Sequence, residues 1–341
     1  MKRKYGVILL LSIFCLLVGW GIQKFSATFY TIPIAKVEQV EIKGNEQQIQ
    51  AVVKNGENKG EQVSLTSSYR ENEIDSVKLQ KGDQVFFQKR KVVEKKRDGF
   101  VAFLVLLLFL CLVIVGGKNG VTTFVSVAIN TMMLFLMVTW YRHHQGVPLL
   151  MLTAIYVLFS IAITLFLIEG IQKNSGSKFL ASAVTVFLSF GICYLAMSFF
   201  HDKGLRFEEM GGLTRPYRPI YLSGLLIGAT GATLDTVVTV LSTLEEIEER
   251  NNRVTFRQLI ASGKKVGKDI GTTMINVLIC SYFSSTIPMF MVYLLNGWLF
   301  SQTANHLLSL EVIRVLCGSF GILLSIPVSL FFFQLNRRRE K

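Results

Sequence analysis

The sequence predicts a mainly α-helical, polytopic membrane protein with about eight transmembrane helices and a small extracytoplasmic β-rich domain. Hydrophobic residues make up 51% of the 341 residues, and charged residues only 17%, against roughly 25% in soluble domains. The apolar residues are concentrated in runs close to the ~20 residues that a helix needs to cross a bilayer. A single larger polar segment, residues 24–98, separates the first run from the others.

The apolar runs define the spans and three domains. The predicted spans are Gly6–Ile22, Gly99–Val115, Val121–Trp140, Pro148–Ile168, Lys178–Phe200, Ile220–Thr243, Gly267–Leu295 and Val312–Phe333. Residues 1–23 form an N-terminal anchor helix, because no small-x-small cleavage site follows the first run. Residues 24–98 form the β-rich domain, and residues 99–341 form a seven-helix transmembrane domain.

The polar segment has the pattern of short strands. Val37–Ile42 and Ile49–Val53 alternate or contain β-branched residues, and residues 54–60 have turn composition. About five short strands in this space predict a small β-barrel or sandwich, with an OB-like barrel as one possibility. We expect a platform or lid rather than a site of chemistry, because no metal spacing, phosphate loop or nucleophile motif is present.

The net charge of +13 indicates contact with the anionic lipid bilayer rather than with nucleic acid. Lys and Arg are concentrated in the joints on the side of the termini, which predicts that both termini are cytoplasmic and that residues 24–98 are extracytoplasmic. The basic run Lys89–Arg97 opposes this orientation, but it belongs to a longer domain that the rule weighs less. The five cysteines all lie in apolar runs, so no disulfide framework is predicted.

The sixth span contains a carboxylate in an apolar setting. The residues Gly224, Gly228, Gly231 and Asp235 follow one another at steps of four, three and four, and therefore share one helix face. Such glycines are typical of close packing between membrane helices. An acid at this depth costs roughly 2.5–3.5 kcal/mol, which favours a substrate or ion site, with helix packing through Ser, Thr or Asn as the alternative.

The seventh span carries two different faces. Gly263, Gly267 and Gly271 form a second close-packing stripe, whereas Asp269, Thr272, Thr273 and Asn276 form a polar face. Asp235 and Asn276 lie at a similar depth from the same membrane surface at ~1.5 Å per residue. The sequence therefore predicts that Asp235 faces Asn276 and the two threonines, while Asp269 suits the first turn of its helix.

The segment between these spans is polar. Glu245, Glu246, Glu248 and Glu249 are predicted to continue the sixth helix as a solvated face. Thr255 and Gln258 have the spacing of a capping box. The apolar residues that follow predict a short helix lying in the plane of the cytoplasmic interface.

The segments 224–247 and 255–289 resemble the YibE/F-like family of bacterial multi-pass membrane proteins, as does the order of anchor helix, outer β-rich domain and seven spans. The resemblance implies a cell-membrane protein of Gram-positive type. It also implies a related YibE/F-like membrane subunit as a partner, but it implies no reaction.

Three functions follow from these patterns. The first is a transporter or permease component that uses the Asp235 site, and the second is a scaffold or sensor whose outer β-domain binds a partner or wall polymer. An intramembrane aspartyl protease using Asp235 and Asp269 is disfavoured, because the residues around both acids lack the motifs of that class. We expect no enzymatic activity, cofactor or metal site, and no ATP-binding motif is present. The sequence does not indicate a substrate.

Overall fold

The computed structural model describes residues 13, 17–18, 21–22, 30–70, 77–144, 146–170, 174–210, 216–250 and 255–339. It contains two compact units, residues 1–124 and residues 125–341. The predicted anchor helix, residues 1–23 with the span Gly6–Ile22, lies mostly outside the described residues.

The polar segment forms a closed five-stranded barrel. Its strands are β1 (Ile34–Lys43), β2 (Glu46–Val53), β3 (Gln62–Ser68), β4 (Gln84–Gln88) and β5 (Lys91–Lys95). The order around the barrel is β1-β2-β3-β5-β4. All neighbours pair antiparallel except β3 and β5, which are parallel and meet at Thr66 and Lys91. The predicted small β region is therefore present, with five strands.

Alternation along the strands fills the barrel. Val37, Ile49 and Leu65 are fully buried, and their neighbours in sequence point outward, as period-two strands require. Two buried amides satisfy backbone groups at the ends of the barrel. The side-chain oxygen of Asn55 accepts a hydrogen bond from the Ile34 N–H. The side-chain oxygen of Gln47 accepts one from the Leu79 N–H, and its side-chain nitrogen donates to a backbone carbonyl.

Part of the basic run before the first described span is structural. The Lys96 ammonium is buried, 3.1 Å from Oε1 of Gln84 and 3.5 Å from the Asp98 carboxylate. The Tyr30 hydroxyl donates to the same carboxylate at 2.8 Å, and this hydrogen bond raises the pKa of Tyr30. Lys96 therefore helps to order the start of the following helix and is not a free headgroup contact.

Seven helices are long and apolar enough to cross a membrane within the described residues, so the count there is seven and not eight. They are α1 (Asp98–Gly116), α2 (Lys118–His143), α3 (Leu149–Glu169), α4 (Ser175–Phe199), α5 (Tyr217–Arg250), α6 (Phe256–Leu295) and α7 (Phe300–Arg339).

The last two helices begin earlier than the hydropathy predicts. The capping box of Thr255 and Gln258 is confirmed, but the in-plane helix is wrong, because the chain continues from Phe256 through the whole of α6. Leu259 explains the difference. It is fully buried in a cluster with residues of α5 and α7, so this turn packs on the bundle and does not lie along a lipid surface.

Helix α5 is the centre of the second unit, where it contacts α3, α4, α6 and α7. Helix α7 in turn contacts α4, α5 and α6. Most of the buried side chains of the second unit lie on α4, α5 and α7, whereas α6 buries few residues. The bundle therefore has a three-helix core flanked by α3 on one side of α5 and by α6 on the other.

The glycines of α6 lie against α7. A Cβ atom added at Gly263, Gly267 or Gly271 would lie 2.9, 2.7 or 3.3 Å from the nearest α7 side-chain atom. The α7 residues concerned, Leu330, Ile326 and Ile322, are spaced by four like the glycines. The two helices thus approach one another through a regular row of Gly-to-aliphatic contacts.

We expect Gly267→Ala to lower the stability of the bundle by about 1–3 kcal/mol, because the added methyl group collides with the stiff, β-branched Ile326. Gly224→Ala is the matched control, since a Cβ there meets nothing within 4 Å. The measurement is the thermal denaturation of both purified variants in detergent. Equal melting temperatures for the two variants would contradict the close approach of α6 to α7.

Candidate functional site

A polar groove opens beside Asp235. Its volume is about 390 Å³, and helices α2, α3 and α5 line it. The polar lining residues are Asn130, Ser160, Thr164, Glu169, Thr230 and Asp235. Aliphatic residues of α3 and α5 fill the gaps between them, so the groove presents a few polar groups on an apolar surface.

Helix α5 places Asp235 on its open side. Gly231 and Asp235 are exposed, whereas Thr233, Thr236 and Val237 are fully buried against the neighbouring helices. This division follows from the 3.6-residue period, which puts residues four apart on one face. Because of this period, the sequence alone predicts that the glycines and Asp235 share one helix face.

The α5 glycines do not form the predicted packing stripe. A Cβ at Gly224 or Gly231 would meet nothing within 4 Å, and one at Gly228 would meet only the Tyr282 hydroxyl, at 2.6 Å. The reason is that Gly224 and Gly231 border open space, while the opposite face of α5 packs into the core. Gly231 lines the groove next to Asp235.

The residues expected to face Asp235 lie elsewhere. Asp269, Thr272, Thr273 and Asn276 are all exposed on α6, and none lines the groove. The two threonine hydroxyls donate to carbonyls of their own helix, those of Lys268 and Asp269. Depth in the membrane alone does not identify the residues that face Asp235, because α5 has a helix on each side and the groove opens toward α3.

The Asp235 carboxylate has no hydrogen-bond or ion-pair partner among the described residues. Across the groove, the side-chain amide of Asn130 donates to the Thr164 hydroxyl at 2.9 Å. The side-chain carbonyl oxygen of Asn130 (Oδ1) is buried and has no hydrogen-bond partner in the described chain. The groove therefore offers one charged oxygen acceptor, the Asp235 carboxylate, which suits a cation or an amine.

An ion cluster lies at the Glu169 end of the groove. The Lys178 side chain is nearly fully buried, and its ammonium lies 3.0 Å from Glu169 and 2.9 Å from Glu245. The Ser242 hydroxyl accepts from this ammonium at 2.9 Å and donates to Glu169 at 3.0 Å. One lysine thus holds two carboxylates, and the cluster joins α3, α4 and α5 with a net charge of −1 when all three groups are ionised.

Two asparagines extend the cluster to a fourth helix. The Asn174 amide donates to Glu245 at 3.0 Å, and the Asn336 amide of α7 donates to the Asn174 carbonyl oxygen at 2.6 Å. Four helices therefore meet around Lys178 at the end of the bundle where α3, α5 and α7 finish.

This cluster is not among the sites that the sequence predicts, and Glu245 is predicted to belong to a solvated face. One signal was available: Glu169 ends α3 and Lys178 lies in the first turn of α4, only nine residues later. A short joint between antiparallel helices brings such residues together. The participation of Glu245 required the packing of α5 against both helices.

Replacing Lys178 with Met is expected to destabilise the protein by about 3–5 kcal/mol, because two carboxylates then face one another without a counter-charge. Adding Glu169→Gln should recover part of this loss, since it removes one of the two negative charges. Thermal denaturation of the single and double variants in detergent measures both effects. Lys203→Met, in the loop after α4, is the control. The residues of the cluster are not coupled if the stability lost in the double variant equals the sum of the stability changes measured for Lys178→Met and Glu169→Gln separately.

Two family models match the chain. The family model described as YibE/F-like protein matches residues 104–339, and the model of the YibE/F family N-terminal domain matches residues 28–99. Searches of curated proteins and of solved structures return no match. The two matched segments cover most of the chain. The chain therefore belongs to the YibE/F-like family of membrane proteins.

Proposed function

We propose that the protein is a transport component of the cell membrane that binds a cation or an amine in the groove beside Asp235. The observation that carries this proposal is the Asp235 carboxylate itself, which lines a polar groove without a protein partner in the described chain. Keeping an acid within a membrane span costs roughly 2.5–3.5 kcal/mol, and a cation that binds there offsets this cost.

The acceptor set supports a positively charged substrate. Glu169 places a second acid on the groove wall. Lys178 forms an ion pair with Glu169 from outside the groove. A substrate that binds beside Glu169 therefore interacts electrostatically with the ion cluster. The energy source in this proposal is an ion gradient or a partner subunit, since the sequence has no ATP-binding motif.

The orientation belongs to the same proposal. Both termini are cytoplasmic and residues 24–98 are extracytoplasmic, as the distribution of Lys and Arg favours. A related YibE/F-like membrane subunit is the proposed partner. The protein is not an enzyme in this proposal: Asp235 lines the groove and Asp269 does not, so a shared-proton pair of acids has no support there.

Asp235→Asn is expected to abolish cation binding while leaving membrane abundance unchanged, because the carboxylate makes no bond that the fold needs. The measurement is the transient current of proteoliposomes on a solid-supported membrane after exposure to Na⁺, K⁺, Mg²⁺, Mn²⁺ or putrescine. At least one of these should give a current, and the variant should reduce it roughly tenfold or more.

Asp269→Asn is the matched control, since this acid is also exposed but lies outside the groove. It should leave the current unchanged. Transport by the Asp235 groove is refuted if no cation gives a current above that of protein-free liposomes, or if Asp235→Asn behaves like the native protein.

We propose as the second candidate a scaffold or sensor whose outer barrel, OB-like in strand order, binds a wall polymer. A polar groove of about 440 Å³ crosses β1, β2 and β3, the region that OB-fold barrels use for oligosaccharides. Gln39, Gln50 and Ser64 pair in one row across these three strands, and all are exposed. Amides and hydroxyls of this kind match the hydroxyl groups of a glycan.

The triple variant Gln39→Ala, Gln50→Ala, Ser64→Ala should lose binding to purified peptidoglycan sacculi by about tenfold or more, since each lost hydrogen bond is worth ~0.5–1.5 kcal/mol. Co-sedimentation of the detergent-solubilised protein with sacculi measures this. Gln88→Ala, an exposed amide outside the groove, is the control. Sedimentation that does not differ between the triple variant and the control would reject the barrel as the binding surface.

A further inference from the structure

A second polar system runs through the three-helix core, apart from the Asp235 groove. On α4, small polar residues recur at steps of four, three and four from Lys178, and on α7 a similar series follows Arg314. The buried members on α4 are Lys178, Ser182, Thr185 and Ser189, and those on α7 are Cys317, Ser325 and Ser329. With Thr233 of α5, they form a seam between α4, α5 and α7, here named the hydroxyl seam.

The seam is tightest at Gly321. A Cβ atom at this position would collide with the Thr233 hydroxyl oxygen and would lie 3.3 Å from that of Ser189. Three helices therefore meet at this level through two hydroxyl groups and a glycine. The Cys317 thiol is buried one turn away on α7.

Some hydroxyls of the seam are bonded within their own helix. Thr185, Ser189 and Ser325 donate to carbonyls three or four residues earlier. Such bonds satisfy a hydroxyl group but do not join one helix to another. These residues therefore do not serve as interhelical links in this structure.

The other hydroxyls of the seam have no hydrogen-bond partner among the described residues. Ser182, Thr233 and Ser329 are fully buried on three different helices, and their hydroxyl groups make no hydrogen bond within the described chain. Burying an unsatisfied polar group costs about 1–3 kcal/mol. Three such groups at one interface are costly if the seam only holds helices together, because aliphatic side chains would pack there without this cost.

Charged groups lie at both ends of the seam. At one end, Glu311 forms an ion pair with Arg314, and its second carboxylate oxygen is buried without a partner in the described residues. Glu311 is 8% exposed, and the Arg314 guanidinium lies over the Tyr221 ring at 5.3 Å. At the other end lies the Lys178 cluster with Glu169 and Glu245.

The separation of the ends matches a membrane. Glu311 and Ser329 are eighteen residues apart on α7, which is roughly 27 Å at ~1.5 Å per residue. The Lys178 cluster lies beyond Ser329, where Asn336 joins it through Asn174. Protonatable groups thus stand about the ~30 Å thickness of a bilayer core apart, with the hydroxyl seam and the Cys317 thiol between them.

We propose that the hydroxyl seam is a proton pathway between Glu311 and the Glu169–Glu245 carboxylates. A proton from one side binds to the free oxygen of Glu311. Ser182, Thr233 and Ser329, with water in the gaps between them, then each accept a proton from one neighbour and give their own to the next. The last proton binds to a carboxylate beside Lys178 and leaves on the other side, so every group returns to its starting state. In the transport proposed above, on which this role depends, the proton is the driving ion.

The test uses the full-length protein in liposomes that contain a pH-sensitive dye. A potassium diffusion potential, set with valinomycin, drives protons inward, and the dye reports their entry. Native protein should give proton entry well above that of protein-free liposomes. Thr233→Val should reduce this entry roughly tenfold or more, because it removes a relay hydroxyl but keeps the branched shape.

The variants separate conduction from folding. Thr233→Ser keeps a hydroxyl and should conduct, and Ser329→Ala should lose conduction as Thr233→Val does. Thr153→Val removes a fully buried hydroxyl of α3, outside the seam, and should conduct normally. Thr233→Val should not lower the melting temperature in detergent, since the lost hydroxyl makes no bond in the described chain.

Two results overturn the proposal: proton entry through native protein equal to that of empty liposomes, or undiminished entry through Thr233→Val and Ser329→Ala. These results are independent of the Asp235 experiment. A failure of the transport proposal appears as the absence of an Asp235-dependent cation current. A failure of the proton pathway appears in the dye signal even when that current is present.

Discussion

The buried ammonium of Lys178 is the contact on which the bundle depends. It lies between carboxylates of α3 and α5, and the asparagine pair extends the same network to α7. A charge that is buried in this way must be paired, because an isolated ion cannot be solvated there. Four helix ends are therefore joined by Lys178 and the two asparagines.

The groove and the hydroxyl seam both end at this cluster. Glu169 lines the groove and binds Lys178, and Lys178 is also the last residue of the seam on α4. A change in the charge of Glu169 therefore alters the electrostatic potential in both polar systems, because its carboxylate lies 3.0 Å from the Lys178 ammonium. In the two proposals above, Glu169 is the group that links a cation in the groove electrostatically to a proton in the seam.

The two flanking helices play different parts. Helix α3 provides the wall that faces Asp235, so it defines the groove. Helix α6 packs through its glycines onto α7 and leaves its polar face, with Thr272 and Asn276, exposed. The polar residues of α6 are therefore not part of the groove, although they resemble Asp235 in being hydrophilic within a span.

The sequence by itself determined the helical membrane class, the five short strands and the family. It also placed Gly231 and Asp235 on one face of α5, since hydropathy, strand alternation and helix periodicity act over a few neighbouring residues. Only the tertiary structure decided that Asp235 opens toward Asn130 and not toward Asn276, that Gly224 and Gly231 border open space, and that Glu245 is bound to Lys178. Those outcomes depend on which helices are adjacent, and adjacency is set by side-chain packing between segments far apart in the chain.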